Sequence, residues 1–590
     1  MKRRWLTITV CVTALSWQWA GAKGLPQAQT TQREMVVTAN PLATAAGAKI
    51  LKMGGSAADA MVAVQTVLGL VEPQSTGIGG GAFIVYFDSE TGTTMTLDAR
   101  EKAPAAATEG LFLDPDGNPL GFVTAWQSGL SVGVPGVPRM MEHMHRKYGR
   151  LPWPLLFVPG IVQSLKGFTL TRRTSDQVTG LLALNPSCED RLTFRDPVAF
   201  NYFVDSEGTT CSAKPAGTKI VNRDYAQTLK LLAIQGTDAF YTGAMANDIA
   251  SAVQNDLNIP GTMSPSDLAH YEVIEREPVC FVYRENNVCG MGPPSSGGLA
   301  VGQILGLMAH FDLSDKQPLD EDVVHWFSQA MRLAFADRNK YVADSDFVSV
   351  PSAGMLNKDY LTERAALIGP NDSGSVAPGV PPGKFDPYGP DFTAKTSGTS
   401  HVAIVDRYGN ALSMTTTIES SFGNGVMVPG RGFLLNNELT DFSFIPTTPS
   451  GDPVANRVQA NKRPRSSMSP AIVFDDRDRV ALVTGSPGGS RIIGYTAQSI
   501  MNVLDFGLDP QQAINVPHYQ NRNTTTTDLE IPIPNVTLDY DVDGLTTALE
   551  NRGHIITLIE QTSGLSLIRV TGGQLIGGAD QRRDGTIGGR

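Results

Sequence analysis

The run Thr399-Ser400-His401-Val402-Ala403-Ile404-Val405-Asp406 alternates small polar and apolar residues, and Ala411 to Thr417 returns from it after Arg407-Tyr408-Gly409-Asn410. Two such runs around a short loop containing glycine predict a β-hairpin, with Gly409 supplying the positive φ of the turn. A hairpin centred near Tyr408 sets Thr399 opposite Thr417, and a bulge would shift that pairing by one residue. Two hydroxyls then meet at the open end. Ahead of Thr399, residues 371–398 form a long run of Gly, Pro, Ser and Asp that predicts a loop with no secondary structure of its own. Such a loop in a compact chain is usually functional or disordered. A flexible loop feeding a strand that begins with threonine is a place where a chain can cut itself and leave a threonine with a free α-amino group.

By length alone, 590 residues suggest several domains. Yet no charged, low-complexity or Pro-rich linker divides the chain, and 371–398 is its one clear break. A formal charge of −11 and a pI near 5.3 argue against a nucleic-acid surface, as does the lack of a Lys/Arg cluster with aromatics. Lys2-Arg3-Arg4, the mostly apolar stretch Trp5 to Trp19 and the small residues Ala20-Gly21-Ala22 predict a signal peptide over 1–22. Its apolar core is shorter than the roughly 20 residues that span a bilayer. The mature chain is therefore expected to be exported, periplasmic or secreted, with no membrane segment. It keeps Cys188, Cys211, Cys280 and Cys289, an even count that suggests disulfides in an exported chain. Cys280 and Cys289 sit in two β-like runs around Arg284-Glu285-Asn286-Asn287, so a bridge across that hairpin would leave Cys188 for Cys211. Four buried thiols are the alternative. No zinc spacing is present.

Asn40 is placed to cap a helix from Pro41 to Met53, and Ser56 a second one to about Gly69. Gly77-Ile78-Gly79-Gly80-Gly81 then enters a strand over Ala82 to Phe87. A dinucleotide loop needs strand, glycines, helix, and the order here is helix, glycines, strand. Close backbone approach is the better reason for these glycines. Met95 to Ala99 predicts a strand ending at Arg100. The middle is mostly helical, with Tyr225 to Leu232 and Val323 to Ala334 as clear examples. Arg479 to Thr484 predicts a strand running into Gly485-Ser486-Pro487-Gly488-Gly489, Ile492 to Leu504 a helix, and His554 to Ile576 further strands. Helices interleaved with hairpins give an α+β class.

Taken together and in order, several motifs resemble the γ-glutamyltransferase (γ-glutamyltranspeptidase) family of N-terminal-nucleophile hydrolases. They are Thr399-Ser400-His401, Leu434 to Glu438, Asp441-Phe442-Ser443, Asn461 to Pro464, Ser466 to Pro470 and Thr484 to Arg491, with Gly77 to Gly81, Arg100 to Pro104 and Pro293 to Gly298 upstream. The resemblance implies a four-layer αββα sandwich, two helix layers around two antiparallel sheets. It implies a precursor cut at Gly398–Thr399 into a large subunit (23–398) and a small subunit (399–590) that pair as a heterodimer. It implies a γ-glutamyl donor such as glutathione, water or an amino acid or peptide as acceptor, and no metal or organic cofactor.

The chemistry fits. A threonine hydroxyl needs a base, and an N-terminal threonine carries one, its own α-amine, with an ordinary pKa of about 7.7–8.0. Before cleavage the same hydroxyl can attack the carbonyl of Gly398. Thr417 is the candidate to orient the hydroxyl, and Gly488 and Gly489 to supply oxyanion N–H groups. Arg100, Ser466 and Ser467 suit an α-carboxylate, and Glu438 and Asp441 suit an ammonium. Two features depart from the family pattern. Glu419 stands where Asn is common, and, two residues beyond Thr417, it would share that residue's face on a regular strand and set a third carboxylate toward the amine. The segment between Phe444 and Pro464 is short and has no aromatic residue. The latter keeps open a glutaryl-cephalosporin acylase or a poly-γ-glutamate hydrolase on the same scaffold. A processed but inactive binding protein would need a broken nucleophile or oxyanion loop, and neither is broken.

Overall fold

The computed structural model describes residues 24–184, 188, 193–207, 209–391 and 398–590. The predicted signal peptide and residues 392–397 of the processing loop lie outside them. The hairpin forms without a bulge: Ser400 pairs with Thr416 and Val405 with Ala411. It sits at the centre of a seven-stranded antiparallel sheet, in the order Thr586–Gly589, Met35–Thr38, Ser400–Val405, Ala411–Thr417, Gly81–Asp88, Thr93–Ala99 and Ile274–Arg276. A second seven-stranded sheet runs Gln29–Thr31, Gln574–Ala579, Ser566–Thr571, Val480–Thr484, Ala471–Phe474, Asn286–Gly290 and Val279–Tyr283.

The sheets face each other through Val37, Ala403 and Val405 on one side and Ile472, Val483 and Ile568 on the other. The strands of the hairpin are buried on both faces. Helices Pro41–Lys52, Ala57–Val71 and Val137–Tyr148 cover the outer face of the first sheet, and Trp153–Lys166 packs on Ala57–Val71 behind them. Helices Gly297–Met308 and Ile492–Leu504 cover the second, with Glu321–Tyr341 packed on Gly297–Met308 behind them. The result is the expected αββα sandwich. Both sheets combine strands from before residue 398 with strands from after it.

Local chemistry sets the element boundaries. The Asn40 side chain accepts from the Leu42 N–H at 3.0 Å, with Pro41 opening the helix. Ser56 and Asp59 cap each other's backbone N–H reciprocally. The strands of the tail differ from expectation in one respect, because Thr526–Glu530 and Ile555–Ile559 pair in parallel in a small separate sheet. Both disulfides form as expected, Cys280 with Cys289 as a facing pair on the hairpin, and Cys188 with Cys211. Among the described residues no helix is long and apolar enough to cross a membrane.

Residues 371–391 have no helix or strand, as expected, but they are tied down. Asp372 accepts from Arg332 and Gln329, the Gly379 N–H donates to Asp337, and Asp391 pairs with Arg465 at 2.7 Å. The loop is thus laid along the helix Glu321–Tyr341.

The glycine run has the reason predicted for it. A Cβ on Gly79 would lie 2.1 Å from the Leu434 carbonyl oxygen, and one on Gly80 would lie 1.9 Å from that of Thr417. Gly80→Ala must push the Thr417 backbone away. We expect it to destabilise the protein by about 1–3 kcal/mol, the usual cost of overpacking, read as a lower thermal midpoint. Activity should fall further than the midpoint predicts, because Thr417 faces Thr399.

Candidate active site

Thr399 is buried where the hairpin opens, and three neighbours hold it. Its Oγ1 lies 3.0 Å from Thr417 Oγ1. Its N–H donates to the Ser75 carbonyl at 3.2 Å, and its own carbonyl accepts from Arg583 at 2.7 Å. Thr417 Oγ1 also accepts the Glu419 N–H at 2.8 Å. Gly398 sits against the Glu419 carbonyl, which a Cβ would meet at 1.9 Å. The residue before the expected cut therefore has to be glycine. Thr399 has φ = 84°. A β-branched residue rarely adopts that conformation, and its cost is of order 1–3 kcal/mol. Breaking the Gly398–Thr399 bond removes that torsion and its strain.

Around Thr399 lies a cavity of about 30 Å³, lined by Arg100, Gly398, Thr417, Glu419, Glu438, Asp441, Ser466, Ser467, Gly489 and Ser490 among others. Nearly all the residues singled out in the sequence thus converge. Arg100 is fully buried and makes ion pairs with Glu438 and with Asp441, the latter at 2.5 Å. Its remaining N–H groups donate to the carbonyls of Pro464 and Arg465. The expectation of separate carboxylate and ammonium ends is modified here: before any ligand arrives, the guanidinium and the two carboxylates satisfy each other.

Ser467 Oγ accepts from Arg338 at 2.6 Å and Ser466 Oγ from the Met468 N–H at 3.1 Å. Neither hydroxyl donates to a described residue, so both protons remain available to an anion. Gly488 has φ = 134° and is packed against Tyr495. The cavity wall is made by the next residues, Gly489 and Ser490, at the turn that opens the helix Ile492–Leu504. Their N–H groups donate to no described residue. Amides at a helix N-terminus suit developing negative charge.

Glu419 reaches the cavity by a different route from the one predicted. The strand ends at Thr417 and Glu419 has φ = 74°, so strand alternation does not place it. Asn437 donates to its carboxylate at 2.5 Å, and Ser420 Oγ also bonds it. The sequence reading missed Arg338, Arg583, Ser75 and Asn437. His401, beside Thr399 in sequence, is a buried core residue bonded to Thr415, and burial lowers its pKa to about 3, so it is not a base for this site.

A family model described as gamma-glutamyltranspeptidase matches residues 43–589. The chain belongs to the γ-glutamyltranspeptidase family. Among its relatives is the glutathione hydrolase proenzyme of Bacillus subtilis (strain 168), 35% identical over 90% of each chain. The acylase ACY 1 proenzyme of Pseudomonas sp. (strain SE83) is 31% identical over 94% of this chain and 93% of its own. The crystal structure of the cephalosporin acylase from Bacillus halodurans superposes with a TM-score of 0.81 at 27% identity, covering 96% of this chain and 97% of that one.

Within this family member a second buried acid backs the pocket. Glu101 is fully buried, beside Arg100 and Glu438. Burial pushes its pKa up to about 7, with Arg100 pulling the other way. Burial likewise raises Glu438 well above the usual carboxylate range, against Arg100 and reinforced by Glu101. A carboxyl whose folded pKa is raised binds its proton more tightly in the folded state. Its contribution to stability is full below about pH 4.5 and is lost as pH climbs toward 7. Glu101→Gln should therefore flatten the fall in stability over that window, and parallel slopes for variant and wild type in denaturant titrations would contradict the assignment.

Proposed function

We propose that this chain is an exported precursor that cuts itself between Gly398 and Thr399 and then acts as a γ-glutamyl hydrolase and transferase. Its subunits, 23–398 and 399–590, stay together as a heterodimer. The observation that carries this reading is the placement of Thr399 Oγ1, 3.0 Å from Thr417, in the lining of a pocket built from one guanidinium and several carboxylates. In the precursor the Thr399 hydroxyl adds to the Gly398 carbonyl, the C–N bond breaks, and water opens the resulting ester. The freed α-amine stays beside the Ser75 carbonyl and serves as base.

In turnover the hydroxyl gives its proton to that amine and its oxygen bonds the γ-carbonyl carbon of the donor. The Gly489 and Ser490 N–H groups, backed by the Gly488 turn, hold the oxyanion. The C–N bond then breaks and the proton leaves on the departing amine. Water or an acceptor amine removes the acyl group from Thr399. Arg100, with Ser466 and Ser467, holds the α-carboxylate. Glu438, Asp441 and Glu419 receive the α-ammonium, and its arrival draws Glu438 toward its charged form. The names of relatives support glutathione as a donor.

The likeness to acylases favours a second reading, glutaryl amides as donors. Three carboxylates line the pocket, and they argue for an ammonium. A glutaryl chain brings none, and its apolar methylenes would be buried among charges. We expect γ-glutamyl anilides to exceed glutaryl anilides by at least ~2 kcal/mol in kcat/KM, the scale of a charged hydrogen bond left unmade. Glu419→Gln should narrow that gap and leave self-cleavage intact. Equal rates on the two anilides would hand the site to the acylase reading.

Thr399→Ala should give one uncut chain without activity on a denaturing gel, and two normal subunits from it would sink the assignment. Arg100→Lys keeps the charge and loses the planar fork. It should raise KM for a γ-glutamyl anilide by about tenfold or more, whereas an unchanged KM would place Arg100 outside the donor site.

A further inference from the structure

Arg583 is a buried guanidinium whose nitrogens are all spent on backbone carbonyls. Its Nη1 donates to the Thr399 carbonyl at 2.7 Å, and its Nε and Nη2 donate to the Thr562 carbonyl at 3.3 and 3.0 Å. Among the described residues no carboxylate joins it in an ion pair. Asp580, on the same turn, accepts from Ser563 and Arg582, and Asp584 acts from further off on Glu72 and Arg173. The side chain is laid along Gly564, where a Cβ would meet Arg583 Cδ at 2.7 Å. Burial lowers the guanidinium pKa to about 9, with Arg173 adding to the effect and Glu72 opposing it, so the group stays charged at neutral pH. A buried cation without a carboxylate in contact is costly.

The carbonyl that Arg583 holds belongs to the nucleophile itself. The carbonyl carbon and the α-nitrogen of a residue share one Cα, so the guanidinium stands within about 6 Å of the nitrogen that cleavage frees. Other charges bear on that nitrogen. Glu72, three residues before Ser75, accepts from Ser400 Oγ at 2.9 Å and lies 3.7 Å from Arg173, so that pair largely offsets itself. On the cavity side Arg100 and Arg338 stand against Glu419, Glu438 and Asp441, with Glu101 behind. Tyr495 and His401 are kept neutral by burial. Carboxyl groups outnumber cations on the cavity side, and carboxylates pull an amine toward its ammonium form. An ammonium cannot take the proton of the Thr399 hydroxyl.

We infer that Arg583 is a positioning residue whose charge keeps the freed Thr399 α-amine neutral and so fit to act as the base. This rests on the acyl-transfer reading above. A fixed cation at that range disfavours a second positive charge on the nitrogen, and the buried surroundings strengthen the effect. The same hydrogen bond, with the strand beyond it, fixes the Cα that carries both the amine and the hydroxyl side chain. Arg583 is not in the lining of the cavity, so it acts through Thr399 and not on the donor.

The test titrates the α-amine in the processed protein. Cyanate adds a carbamoyl group to a neutral amine and not to an ammonium. Its rate against pH, read by intact mass and peptide mapping of the 399–590 chain, therefore gives the pKa of the Thr399 amine. We expect the wild type to titrate below the ordinary range of about 7.7–8.0. Arg583→Gln keeps a donor for the carbonyl and loses the charge, and it should raise the midpoint by about one pH unit. Arg583→Lys keeps donor and charge and should stay near wild type, whereas a purely structural role predicts the same change in both. The acid limb of kcat/KM on a γ-glutamyl anilide should move in step. If Arg583→Gln fails to cut itself, Glu72→Gln reads the same field with the opposite sign and should lower the midpoint. A wild-type midpoint at or above the ordinary range, equal midpoints in the Lys and Gln variants, or an unmoved Glu72→Gln overturns the role of Arg583. The labelling needs no turnover, so the expected midpoints in a protein that cleaves no γ-glutamyl anilide would overturn the donor reading alone. A wild-type chain that never exposes Thr399 would overturn both.

Discussion

The antiparallel pairing of Ser400–Val405 with Ala411–Thr417 is the constraint on which the rest depends. It brings two threonine hydroxyls to 3.0 Å and, through Gly80 and Gly81, sets the depth of the pocket wall. The same strand is held on its other edge by Met35–Thr38, from the far end of the chain. A cut ahead of Thr399 would sever no sheet hydrogen bond of that strand. The ends could part while the fold stays whole, and cleavage there would also relieve the strained torsion at Thr399. Arg583 and Ser75 grip the carbonyl and nitrogen of Thr399, so the residue would keep its position after the cut.

Charge is the second organising element. Arg100, Glu438, Asp441 and Glu419 line the pocket, and Glu101 acts on the same cluster from behind it. Burying so many carboxylates around one guanidinium is costly unless protons or a ligand compensate. The raised pKa values of Glu101 and Glu438 are the form that compensation takes in the empty site. A zwitterionic head group offers another, since its ammonium and carboxylate meet both signs.

Much of this was legible in the sequence because it is local. The hairpin register followed from loop length and alternation, the helix starts from Asn40 and Ser56, and the bridge between Cys280 and Cys289 from their positions on one hairpin. The glycines at 79–81 were read as close approach, although the atoms approached, on Leu434 and Thr417, were beyond reach. What stayed hidden depends on contacts across hundreds of residues. Arg338 lies within a helical pattern and gives no sign that it holds Ser467. Arg583 lies near the C-terminus with no motif around it. Glu419 was placed correctly for a reason that fails, because a positive φ after Thr417 breaks the strand alternation on which the prediction relied.

The account turns on a covalent ester at Thr399, and intact-mass analysis tests it most directly. Processed protein would be mixed with a γ-glutamyl anilide, quenched in acid within the first turnover, and its two chains weighed. The smaller chain should begin at Thr399 and carry one γ-glutamyl group that disappears on treatment with hydroxylamine. An acyl group on the larger chain, or rapid release of aniline with both chains unmodified, would contradict the account.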